Sequence, residues 1–255
     1  MDPELKKLMS NLHRQTYREA KKEMAFRYKK YATYCQVLAS SDNDEIRKVY
    51  EFFEKDATAY MAPTILSFTR CKFTPYTFKD KTLDFIFGDS LIGVAGDVMN
   101  ESILHAIRIL LDRTSLYMRM AYPNEQISDK IGTIEGKDNS VIKFVNNKLK
   151  EGNDLTEVER TFFRYMLDEY DIWFHKVVQV DNKTKHNLST YDLYEVGDIM
   201  QPVILPSAKG YYNNKELKDE KEIPVDFESK YISRAYDLFD KTLEFTTSII
   251  MKSQG

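Results

Sequence analysis

From Leu5 to Leu38, apolar or small side chains return every three or four residues: Leu5, Leu8, Met9, Leu12, Thr16, Ala20, Met24, Tyr28, Tyr31, Cys35 and Leu38. A strand repeats every two residues, so only a helix can place this series on one face. Unbroken, at 1.5 Å per residue, that helix is about 50 Å long. Its apolar stripe needs covering along that length, as expected of a helix in a bundle.

The rest of the chain supplies them. After a polar break at Ser40–Asp44, Asp42 and Glu45 stand at capping-box spacing before a helix carrying Ile46, Val49, Tyr50, Phe53, Ala57, Tyr60 and Met61 inward. Pro63 and Pro75 predict a kink and an interruption, residues 78–87 a further helix, and Gly88, Gly93 and Gly96 a loosened stretch. The segment 97–122 is one of the two clearest helices, with Leu104, Ile107, Leu111, Thr114, Met118 and Ala121 as its buried stripe. The loop from Pro123 through Gly132 and Gly136 leads to a short helix over 141–149, closed by Gly152. The other clear helix covers 156–180, opened by a Thr156/Glu159 capping box, with Val158, Phe162, Tyr165, Met166, Ile172, Trp173, Val177 and Val180 inward. These two helices are expected antiparallel at the centre. Helical periodicity then stops. Residues 191–196 and 199–205, with Pro202 inside the second run, suggest a small hairpin. A last helix, capped by Asp226, carries Phe227, Tyr231, Ala235, Leu238, Phe245 and Ile249 inward. The expected fold class is all-α: a multi-helix bundle with a small β-hairpin-containing excursion before the last helix. Residues 1–255 form one helical domain, with 181–225 as the excursion.

Composition agrees. The 255 residues are 42% hydrophobic and 30% charged, so burial can offset ordering and disorder is excluded. Nine glycines and seven prolines are too few for a turn-rich β-sandwich. A net charge of −3 excludes a polycation that coats nucleic acid over its whole surface. The segment Met1–Lys7 lacks the apolar core of a secretory signal, and no run approaches eighteen apolar residues. Cys35 and Cys71 lack CxxC spacing and read as free core thiols. The expectation is a cytoplasmic protein with no membrane association.

Chemistry has few places to reside. His105 follows Glu101 by one turn and Asp97 by two; His175 follows Asp171 and Asp168 in the same way. A metal between two such helices would need further ligands that the sequence does not pattern, so these read as surface pairs, and neither metal nor cofactor is expected. Glu51 and Glu54, with Asp168 and Asp171, offer an alternative as a metal-dependent all-α phosphohydrolase, without the usual second acidic pair at matching spacing. No phosphate-binding glycine loop or nucleophile elbow is present. The first helix is the charge anomaly. Between Leu5 and Tyr34 it holds Lys6, Lys7, Arg14, Arg18, Lys21, Lys22, Arg27, Lys29 and Lys30 against Glu19 and Glu23, with Tyr17, Phe26, Tyr28, Tyr31 and Tyr34 interleaved. Cations with aromatic rings between them hold single strands; the competing reading is a solvated face, or pairing with acidic residues 42–56.

One segment carries a family likeness. The helix through Trp173 runs into Val180-Asp181-Asn182-Lys183-Thr184-Lys185-His186-Asn187, and an earlier helix holds Ile109-Leu110-Leu111-Asp112-Arg113. Over roughly 97–190 this resembles HEPN-like helical domains. The resemblance implies RNA or nucleotides as ligands, a role in a conflict or stress system, pairing into a homodimer, and a histidine that transfers protons in RNA cleavage with an upstream arginine on the phosphate. His186 and Asn182 stand at the catalytic positions, and Lys183 and Lys185 would meet the anion; independently of the resemblance, the basic first helix offers Lys21, Arg14 and Arg18 as further substrate-binding residues. The upstream positions here are Gln179, Val180 and Asp181, so the arginine is missing and binding without efficient cleavage is expected. The alternative from another class is a non-enzymatic protein-interaction module.

Overall fold

Helix α1 (Pro3–Ala39) is as long as its periodicity predicts. The structure, a computed structural model, describes residues 3–77, 89–134, 139–152, 155–178, 181, 191–196, 199–204 and 227–253. After α1 come α2 (Asp44–Lys55), α3 (Ala57–Thr77), α4 (Asp89–Ala121), α5 (Val141–Glu151), α6 (Glu157–Glu169) and α7 (Phe227–Lys252). A π-turn at Tyr170–Phe174 extends α6, and residues 175–178 are again helical.

Several boundaries follow the signals, and others move. Thr156 and Glu159 form the reciprocal capping box at the start of α6. Burial raises the Glu159 carboxyl, but hydrogen bonds from Tyr122 and Thr156 outweigh it and leave the group below its usual range. Gly152 closes α5 in the left-handed region at φ 69°. The cap of α2 is Asn43 rather than Asp42; its side chain accepts from the Glu45 and Ile46 amides. The expected break at Pro63 falls instead at Asp56, and α3 continues through both Pro63 and Pro75. Pro63 is buried, and packing against α1 and α4 outweighs the lost amide bond. Helix α4 starts at Asp89 rather than Asp97 and runs through Gly93 and Gly96.

The expected stripe of α4 is wholly buried, from Leu104 to Ala121. Helices α4 and α6 run antiparallel, with Tyr122 meeting Phe163 and Glu159 at one end and His105 meeting Asp181 at the other, but they touch little along their length and are not the central packed pair expected. The chief partner of α4 is α7, followed by α3. Within α6, Ile172 is 51% exposed although its phase predicted burial. The π-turn is the reason: the His175 amide reaches back five residues to the Tyr170 carbonyl, which advances the phase and sends Trp173 and Phe174 inward. Val158, also expected inward, is exposed at the first turn of α6.

Residues 191–196 (β1) and 199–204 (β2) pair antiparallel along the backbone, Leu193 opposite Pro202. The fold class is nevertheless corrected to an all-α multi-helix bundle, to which one pair of strands adds no sheet layer. Every described core residue lies in a helix, in the π-turn or in the loop between α4 and α5. With the helical stripes buried against one another, no face is left for a sheet layer, and a lone two-stranded ribbon is marginal as a folding unit. The Asp226 cap and the helix expected over 78–87 lie outside the described residues.

The centre is aromatic. Phe53, Tyr60, Tyr117 and Phe239 are fully buried, and their ring centroids lie 5.3–6.1 Å apart in successive pairs. They join α2, α3, α4 and α7 at one point.

Candidate functional site

The line of α1 that meets the bundle keeps Tyr31, Cys35 and Leu38 inward, as the apolar spacing suggested, and departs from it at one turn. Tyr28, expected inward, is 66% exposed, and Arg27 is buried in its place at 4%. The cause lies on α7. Asp240 occupies the apolar stripe between Tyr236, Phe239 and Leu243, and is itself buried. Arg27 Nη1 donates to Asp240 at 3.3 Å, Lys30 pairs with the same carboxylate oxygen, and Tyr60 donates to the other at 3.3 Å. Arg27 Nε also donates to Glu23 at 2.6 Å, and its guanidinium lies 4.2 Å from the Tyr236 ring centroid. Burial pushes the Asp240 carboxyl up; Lys30, Arg27 and Tyr60 push it back without cancelling the shift. Two of the nine cations thus serve the core.

Five of the others face the opposite way. Arg14, Arg18, Lys21, Lys22 and Lys29 are all exposed. At 3.6 residues per turn they fall within an arc of about 100° and span about 22 Å of helix. Among the described residues none of the five has a carboxylate within ion-pair distance, so the expected alternative of pairing with residues 42–56 is not what these side chains do. Nearby acids are used elsewhere: Glu19 accepts from Gln15 at 3.0 Å and Glu23 from Arg27. Acidic residues of α2 pair within their own helix, Asp44 with Arg47 and Glu45 with Lys48. Of the interleaved aromatics, Tyr17 packs on Phe68, Tyr31 and Tyr34 on Phe53, and Phe26 lies under the Arg27 guanidinium at 5.0 Å. Tyr28 alone stands among the cations.

The structure therefore brings together Arg14, Arg18 and Lys21 of the residues predicted to bind substrate. His186, Asn182, Lys183 and Lys185 lie outside the described residues, as do the side chains of Lys6, Lys7 and Cys71. Asp181, expected to face a phosphate, is 1% exposed and accepts from His105 Nδ1 at 2.9 Å. The bond orients a half-exposed imidazole. It replaces the expected surface pairing of His105 with its own helix. His175 differs from expectation too: its Nδ1 donates to the Tyr170 carbonyl at 2.7 Å, while Asp171 is exposed. Glu54 accepts from Tyr50 on α2, and neither Glu51 and Glu54 nor Asp168 and Asp171 gather with other ligands; among the described residues no cluster of three metal-binding side chains occurs. Cys35 is a free, half-buried thiol, which burial pushes up from its usual range. No described helix is long and apolar enough to cross a membrane. Comparison of the chain with family models, with curated proteins and with solved structures gives no match.

Sequence reasoning missed the Arg27–Asp240 pair. Its signal was present as a carboxylate on an otherwise apolar face of α7, which requires a buried cation from another element.

Proposed function

We propose that this is an RNA-binding helical protein, and that the outward face of α1 is where the RNA lies. The observation carrying the reading is the run of five exposed cations with no carboxylate partner among the described residues. An acidic protein that turns five unneutralised cations to one side gains from neutralising phosphates there. The likeness of residues 97–190 to HEPN-like domains favours the same ligand, and with the arginine absent the reading remains binding without efficient cleavage. A cytoplasmic place in a conflict or stress system belongs to the same proposal.

The test is the salt dependence of binding to a single-stranded RNA, read by fluorescence anisotropy. Five phosphate contacts give a slope of log K against log salt of about −3.5, or roughly a hundredfold loss between about 50 and 200 mM. The Arg14→Ala/Arg18→Ala/Lys21→Ala variant, altered only at exposed positions, leaves two contacts and a slope of about −1.4. A slope near zero, or an unchanged slope in the variant, overturns the reading.

Assembly as a homodimer is proposed on a separate observation. A groove between α6 and α7 is floored by Phe162 and Phe245, stacked at 4.2 Å, and rimmed by Lys241, Glu157 and Glu244. Val158 and Met251, on the adjoining turns of the two helices, are 43% and 58% exposed. An apolar floor with a rim of both charges can meet a second copy of itself across a two-fold axis. Light scattering at micromolar concentration should give twice the 30.0 kDa of the chain, and Val158→Glu should return it to the monomer. A monomeric parent overturns the dimer.

A further inference from the structure

We propose that the α1 face selects unpaired bases, with Tyr28 as the ring on which a base stacks. This rests on the RNA-binding reading and adds the class of strand. Tyr28 holds an unusual position. The buried Arg27–Asp240 pair takes the inward place in this turn of α1, so the neighbouring aromatic is left on the surface, 66% exposed. Among the described residues its ring has no aromatic partner and its hydroxyl no hydrogen bond, unlike Tyr17, Tyr31 and Tyr34.

Its surroundings are cationic. On the helical wheel Tyr28 lies beside Lys21, two turns earlier, and about 100° from Lys29, at one edge of the same arc as the five free cations. Cations that hold phosphates, with one bare ring among them, are the two parts of a single-strand site. A duplex hides the faces of its bases, so it can use the cations but not the ring. Phe26 is a poorer platform: it lies off the arc and already carries the Arg27 guanidinium.

The decisive experiment compares ligands that share charge and differ in bases. A short uridine oligonucleotide, the same length of RNA duplex, inorganic polyphosphate and phosphatidylserine vesicles are titrated against the full chain and against Tyr28→Ala. Loss of stacking on one base should weaken the oligonucleotide by roughly five- to a hundredfold and leave duplex and polyphosphate unchanged. A direct signal comes from Tyr28→Trp. The sole tryptophan, Trp173, is 1% exposed and supplies a constant background, so quenching of the added indole by the oligonucleotide, and not by polyphosphate, reports a base on the ring. Equal losses on every ligand, a duplex that binds as well as the single strand, tighter binding to vesicles, or an unquenched indole each overturn the stacking role. In the first two cases salt-dependent RNA binding survives without it. No binding to any polyanion overturns both readings.

Discussion

Replacing Phe239 with alanine is expected to cost about 3–5 kcal/mol, the range for emptying a fully buried aromatic site. The ring has no exposed surface and faces Tyr117 at 5.3 Å, Tyr60 at 5.4 Å and Phe53 at 6.1 Å. Those partners sit on α4, α3 and α2, so a single deletion opens a void where four helices converge. Collapse cannot fill it cheaply, because two of the lining rings are tied by their hydroxyls: Tyr60 to Asp240 and Tyr117 to Asp56, each at 3.3 Å. Moving either ring inward would strip a buried carboxylate of a donor. Chemical denaturation should show the midpoint falling with an unchanged slope, and the melting temperature dropping by on the order of 10 °C. A loss below about 1 kcal/mol would mean that the helices do not meet at Phe239 as described.

The same cluster shows what could be read from sequence and what could not. The α4 stripe was legible because every member is apolar or small and the helix is regular; spacing alone then sets the face. The α1 line was legible at Tyr31, Cys35 and Leu38, which pack on the core. One turn earlier the inward series passes through Arg27, and a pattern that sorts residues by polarity must choose Tyr28 instead. Nothing near Arg27 in the chain marks it as buried, since its anion lies 213 residues away. Ile172 failed for a different reason: a π-turn changes the phase of a helix without altering composition. The His105–Asp181 bond joins residues 76 positions apart and could not be inferred from either helix alone. For the candidate site, the cations of α1 were visible from the start, but their division was not. Only the fold separates Arg27 and Lys30, which serve Asp240, from Arg14, Arg18, Lys21, Lys22 and Lys29, which remain outward.

That division makes Asp240 the residue on which the presentation of α1 depends. Asp240→Ala is expected to destabilise the protein by about 3 kcal/mol, the lower end of the range for breaking a buried ion pair. The lower end follows from the partners. Lys30 keeps 30% exposure of its side chain and can turn to water, and Arg27 retains Glu23 on Nε. What cannot recover is the rest of the Arg27 guanidinium, whose side chain is 5% exposed, and the Tyr60 hydroxyl, whose ring is fully buried. Asp240→Asn should lose less than half as much, because its carbonyl oxygen still accepts from Tyr60 or Arg27. Hydrogen exchange locates the loss. If the pair fastens α1 to α7, the amides of residues 24–34 should exchange faster in Asp240→Ala by a larger factor than those of α4. RNA affinity then becomes a second readout: with Arg27 released, Tyr28 is no longer held outward among the cations, and the preference for single strands over duplex should shrink. Uniform acceleration across all helices, or an Asn variant as unstable as the Ala variant, would show that Asp240 does not act through the Arg27 pair.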